Sequence, residues 1–158
     1  MAEKSPGKEF LEIAIEIERS GYKLYELAAD QKSKEVRDIL LQLAGREREH
    51  EHTFRDMLTR VDGYIPENPC ENYDYIRSVA DSNVFVGERI WKLLTQKAMT
   101  DIEVLEAGIG FEKDSILFYS EIRGMLPKLS QNIIDMIVNE EKKHLSELTY
   151  LVNKIRSG

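Results

Sequence analysis

The sequence has 158 residues, 42% hydrophobic and 32% charged, with 22 Lys plus Arg against 29 Asp plus Glu and a formal net charge of −7. A chain of this length makes one domain that buries roughly 70% of the surface it exposes when unfolded, so it needs no disulfide or metal merely to hold a core. The composition argues against intrinsic disorder, the acidic balance against a nucleic-acid partner, and the shortness of every apolar run against a membrane span. Residues 1–8 carry charge with no apolar region behind them, so no signal peptide is expected. The single cysteine, Cys70, can form neither an internal disulfide nor a Cys-x-x-Cys metal site, which suits a reducing cytoplasm.

Only 9 Gly and 4 Pro interrupt the chain, and most of them cluster near residues 6–7, 63–69 and 124–127. Between the clusters, apolar residues recur every three or four positions, the helical period. The pattern predicts long helices over residues 8–29, 33–61, 101–122 and 130–155. Ser33, with Glu35 in the first turn, is the expected start of the second helix. Thr100 and Glu103 form a capping-box pattern ahead of the third. Residues 62–97 open with a loop and then carry two shorter helical patterns, 73–80 and 84–94. A connection this long between two helical hairpins, 8–61 and 98–156, suits a crossover that spans the bundle. The expected fold is all-α: a ferritin-like four-helix bundle, one domain, with a long helical crossover between helices 2 and 3.

Alternating steps of three and four trace the core seam of each helix. The first gives Leu11, Ala14, Glu18, Gly21, Tyr25 and Ala28. The second gives Val36, Leu40, Leu43, Glu47, His50, Phe54, Met57 and Val61. The third gives Leu105, Gly108, Glu112, Ser115, Tyr119 and Ile122, and the fourth Ile134, Ile137, Glu141, His144, Leu148, Leu151 and Ile155. Each seam is interrupted at its middle by Glu, or by Glu and His three residues apart on one face. An unpaired carboxylate in a core costs several kcal/mol or takes up a proton. Two divalent cations would offset four such carboxylates, and the two imidazoles would complete the ligand set. Carboxylates and imidazoles without thiolate favour iron, with manganese and zinc as the alternatives.

The seams superpose without a gap at an offset of 94 residues: Glu18 on Glu112, Tyr25 on Tyr119, Glu47 on Glu141 and His50 on His144. The chain therefore reads as two copies of one helical hairpin, each completing the core of the other.

The stretches Glu18-Arg-Ser-Gly21-Tyr-Lys-Leu24-Tyr25, Glu47-Arg-Glu-His50, Glu112-Lys-Asp-Ser115-Ile-Leu-Phe118-Tyr119 and Glu141-Lys-Lys-His144 resemble the rubrerythrin branch of the ferritin-like superfamily. The resemblance implies terminal carboxylates at Glu18 and Glu112 and bridging carboxylates at Glu47 and Glu141. It also implies one imidazole per metal from His50 and His144, with Tyr25 and Tyr119 hydrogen-bonded to carboxylates beside the site. There are two departures. Rubrerythrins carry a second acidic residue where this chain has Ser115, and a rubredoxin domain with two Cys-x-x-Cys pairs that a single cysteine cannot supply. Electrons are then expected from a separate donor such as a rubredoxin.

His52 points away from the His50 face and is expected at the surface. Arg46 and Arg48 are expected to be solvated, Phe85 and Trp91 to cover the bundle, and Cys70 to be a loop residue without a catalytic role. The site suits an oxidoreductase that reduces hydrogen peroxide or dioxygen in oxidative-stress defence. The alternatives are a ferritin-like storage module, which needs a closed cage of subunits, and a metal-bound bundle with no reaction. No nucleic-acid or membrane partner is expected, and a homodimer or larger homo-oligomer is.

Overall fold

A computed structural model describes residues 5–30, 32–61, 63–66, 72–96 and 99–158. They form five α-helices with no strand among the described residues: α1 (Pro6–Ala28), α2 (Lys34–Arg60), α3 (Tyr73–Gln96), α4 (Asp101–Ile122) and α5 (Lys128–Ser157). A short 3₁₀ turn, Arg123–Met125, joins α4 to α5. None of the helices is long and apolar enough to cross a membrane.

Local chemistry explains where the helices begin. The Ser5 hydroxyl accepts the Lys8 N–H at 3.4 Å, and Pro6 stands at the first helical position of α1, where its missing N–H costs nothing. The capping box ahead of α4 is complete: the Glu103 N–H donates to the Thr100 hydroxyl at 3.2 Å, and the Thr100 N–H to the Glu103 carboxylate at 2.8 Å. Ser33 does precede α2, but its side chain caps nothing; its N–H reaches Asp101 Oδ1 at 3.4 Å instead.

The hairpins α1–α2 and α4–α5 pack face to face around one core. Every seam residue read from the sequence is buried except Ile155, which is half-buried at the end of α5. Phe10, Leu11, Phe54, Phe118 and Ile134 are fully covered. Each such side chain contributes roughly 1.5–3 kcal/mol over exposure.

The crossover differs from expectation in two ways. The two shorter helical patterns are one continuous helix, α3, because the intervening Asp81-Ser82-Asn83 contains weak helix formers but no proline to stop it. Trp91 is 47% exposed rather than part of the core: α3 buries Ile76 and Ala80 near its N-terminal end. The side chain of Phe85, and Cys70, lie outside the described residues. The start of α3 is tied to α1: Tyr73 Oη donates to Glu9 at 2.9 Å, and Arg77 Nη1 donates to the same carboxylate at 2.8 Å.

Candidate metal centre

Glu18 comes from the middle of α1, Glu47 and His50 from α2, Glu112 from α4, and Glu141 and His144 from α5. The structure brings all six together in the core. The four carboxylates have 0% exposure, His50 3% and His144 6%. The six side chains form two overlapping groups, Glu18–Glu47–His50–Glu141 and Glu47–Glu112–Glu141–His144. Within each group one ligand atom per residue lies within 4.8 Å of all the others. Glu47 and Glu141 belong to both groups. Each group has one imidazole and one carboxylate of its own.

The imidazoles turn Nδ1 inward. His50 Nδ1 lies 3.0 Å from Glu141 Oε1 and 3.6 Å from Glu18 Oε2. His144 Nδ1 lies 2.9 Å from Glu141 Oε2, and 3.7 Å from both Glu47 Oε1 and Glu112 Oε2. The two rings are nearly parallel, with centroids 5.9 Å apart.

The tyrosines cross between hairpins. Tyr25 on α1 donates its hydroxyl to Glu112 Oε1 on α4 at 2.5 Å. Tyr119 on α4 donates to Glu18 Oε1 on α1. Burial, then the charge of the carboxylate each one bonds, holds both phenols well above their ordinary pKa. They therefore stay protonated and act as fixed donors that orient Glu112 and Glu18.

The donor set fits two cations. Glu18 Oε2, both oxygens of Glu47 and Glu112 Oε2 are buried with no hydrogen-bond partner among the described residues. A buried polar atom left in that state normally costs about 1–3 kcal/mol, more when charged. With no metal bound, protons must take the place of cations. Burial, then the neighbouring charge of Glu141, pushes Glu112 up to about 8. Burial with the charges of Glu141, Glu18 and Glu112 raises Glu47 well above the usual carboxylate range. Burial pulls His50 down, but the hydrogen bond to Glu141 and the nearby charges of Glu18 and Glu141 outweigh it and raise the imidazole to about 11. Burial is likewise outweighed at His144 by the hydrogen bond to Glu141 and the charges of Glu112 and Glu141, which take it to about 9.

The Rubrerythrin family model matches residues 9–80, a stretch that includes Glu18, Tyr25, Glu47 and His50. No curated protein matches the chain in sequence. A crystal structure from Thermotoga maritima, of a protein classed as a ferritin-like diiron-carboxylate protein, is 26% identical. It covers 93% of this chain and 94% of its own, with a TM-score of 0.70. Over residues 9–80 the chain is similar to rubrerythrins. Its bundle is a ferritin-like fold with a carboxylate and histidine cluster suited to two metal ions.

One residue of this cluster escapes the seam pattern. His50 Nε2, the nitrogen turned away from the cluster, lies 2.7 Å from Glu140 Oε2. That bond, the main cause, holds the Glu140 carboxyl below its usual range. With Nε2–H donated to Glu140, the proton that a metal would displace is the one on Nδ1, which leaves the lone pair facing the cluster. The available signal was that a ligating imidazole needs an acceptor for its other nitrogen, and Glu140 adjoins Glu141. The 94-residue offset does not extend to it: the matching position is Arg46, which is exposed and pairs with Glu49 at 3.2 Å. Arg48, also exposed, stacks on the Tyr22 ring at 4.4 Å, and His52 is exposed as expected. Glu140→Ala will therefore weaken one of two metal-binding steps by about 10–100-fold and leave the other intact, since such outer partners contribute this much elsewhere. Arg46→Ala will change neither. Calorimetric titration with ferrous or manganous ion separates the steps, and equal weakening of both would contradict the assignment.

Proposed function

We propose that the chain binds two metal ions through Glu18, Glu47, His50, Glu112, Glu141 and His144, and uses them to reduce hydrogen peroxide or dioxygen. The observation that carries this reading is the sharing of buried Glu47 and Glu141 between two groups that each have one imidazole. That is the arrangement expected of two bridging carboxylates. Glu18 and Glu112 then serve as terminal ligands, steadied by Tyr119 and Tyr25. Iron suits the carboxylate and imidazole donors best, with manganese and zinc as competitors.

When bound by these six residues, two ferrous ions would supply one electron each, enough to take hydrogen peroxide and two protons to two waters, or dioxygen and two protons to hydrogen peroxide. The protein's own part is to hold the ligand geometry and keep bulk water out. Tyr25 and Tyr119 donate to the terminal carboxylates, Glu140 fixes the His50 ring, and the apolar seam above and below the cluster excludes solvent. Electrons must be returned after each cycle. With one cysteine, these 158 residues cannot build a four-thiolate electron-transfer site, so a donor of the rubredoxin kind lies outside them. A reducing cytoplasm and a role in oxidative-stress defence suit this chemistry.

Stopped-flow mixing tests the reaction. Protein loaded with two ferrous ions should be oxidised by hydrogen peroxide or dioxygen faster than free ferrous ion at the same concentration. Equal rates with both oxidants would overturn the oxidoreductase reading.

A further inference from the structure

A small cavity lies between α1 and α4, beside the carboxylate cluster but outside it. Leu24 and Ala28 from α1, Val104, Ala107 and Phe111 from α4, and Met99 provide most of its lining. Its volume is about 20 Å³, a little more than the roughly 10–15 Å³ that one water needs. Two glycines and a tyrosine also line it and carry it to the cluster. A Cβ on Gly21 would stand 2.7 Å from Phe111 Cε1 and 2.8 Å from Glu47 Oε2, so at Gly21 the lining and the shared carboxylate are less than a side chain apart. A Cβ on Gly108 would stand 3.2 Å from Tyr25 Cε1. Tyr25 has two surfaces: its ring lines the cavity, while its hydroxyl is spent on Glu112 and the Gly108 carbonyl.

We propose that this cavity is a docking pocket for dioxygen, the apolar diatomic oxidant, through which it reaches the cluster. The inference rests on the oxidoreductase reading above and selects between its two oxidants. Hydrogen peroxide has two O–H donors and several lone pairs. It would enter this lining with its hydrogen bonds unmade, because the one polar group there is already committed. Ferrous ion or superoxide would have to shed hydration for no partner. Dioxygen forms no hydrogen bonds worth losing, and its two atoms match the space. The missing side chains at Gly21 and Gly108 keep the inner wall thin.

Xenon, an apolar and polarisable stand-in for dioxygen, tests the pocket without any reaction. Crystals of the unaltered chain pressurised with xenon should show it among Leu24, Ala107 and Phe111, whether or not metal is present. Absence from this cavity overturns the proposal. Ala107 is half-buried, so Ala107→Leu can fill the space without displacing the deep core. This variant should lose the xenon site and keep its content of two metals. Its ferrous form should be oxidised by dioxygen at least about tenfold more slowly, while oxidation by hydrogen peroxide stays within about twofold. An unchanged dioxygen rate, or equal slowing with both oxidants, overturns the pocket's role. If the loaded unaltered protein reacts no faster than free iron with either oxidant, the oxidoreductase reading fails. The xenon result still decides whether the pocket exists.

Discussion

Glu47→Gln will make the metal-free protein more stable and abolish its capacity for two metals. Glu47 is fully buried, neither of its oxygens has a hydrogen-bond partner among the described residues, and three other carboxylates surround it. In the metal-free fold it is therefore either an uncompensated charge or a carboxyl forced to keep its proton. Gln has the same shape, carries no charge and brings two amide hydrogens to a cluster rich in unpaired acceptors, Glu18 Oε2 among them. Replacing an unpaired buried charge in this way should stabilise by about 1–3 kcal/mol, a rise in Tm of about 3–10 °C for a chain of this size. The loss appears only on loading. Because Glu47 belongs to both groups, the variant should bind at most one metal, and weakly. Loaded, it will be less stable than the loaded parent.

Glu141→Gln makes a control of opposite sign. Glu141 also belongs to both groups, but its oxygens hold His50 at 3.0 Å and His144 at 2.9 Å. Removing its charge leaves two buried imidazolium groups with one anion fewer, so this variant should lose stability even without metal. Thermal unfolding after chelation, paired with metal analysis after loading, reads both variants. A metal-free Glu47→Gln protein less stable than its parent would show that Glu47 has a partner other than a cation.

The bundle and its six polar core positions were legible in the sequence because polar residues broke apolar seams at matching places. A helical period assigns Glu18, Glu47, His50, Glu112, Glu141 and His144 to the buried face without reference to any neighbour. Contacts between helices were not legible, because they depend on how far one helix is shifted along another. That shift decides that Tyr25 bonds Glu112 and Tyr119 bonds Glu18, each across to the other hairpin. It also decides that His50 meets Glu140, a residue one step off the seam whose side chain is 41% exposed. The crossover was hardest to read. The described part of α3 lies against α1 and α4 and buries Ile76 and Ala80, while Trp91 satisfies a helical period and stays 47% exposed.

Raising the pH will destabilise the metal-free protein across the neutral range and widen its stability gap from the loaded form. In the metal-free fold Glu112 stands at about 8 against an ordinary 4.5. His144 stands at about 9 and His50 at about 11, against an ordinary 6.5. Each folded value lies above the unfolded one, so each group contributes stability that is complete below its unfolded pKa and disappears as pH climbs through the folded value. For Glu112 that window runs from about 4.5 to 8, for His144 from about 6.5 to 9 and for His50 from about 6.5 to 11. Inside its window each group lowers stability by up to about 1.4 kcal/mol per pH unit. The windows overlap near neutrality, so the Tm of chelated protein should fall continuously between about pH 5.5 and 8.5. Metal binding displaces the same protons, so loading grows more favourable as pH rises, and the loaded protein should hold its Tm or gain. Calorimetric titrations in buffers of different ionisation enthalpy should register protons released on loading at neutral pH. Parallel Tm curves for chelated and loaded protein would mean that protons and metal do not compete for this cluster, and that the buried carboxylates are satisfied in some other way.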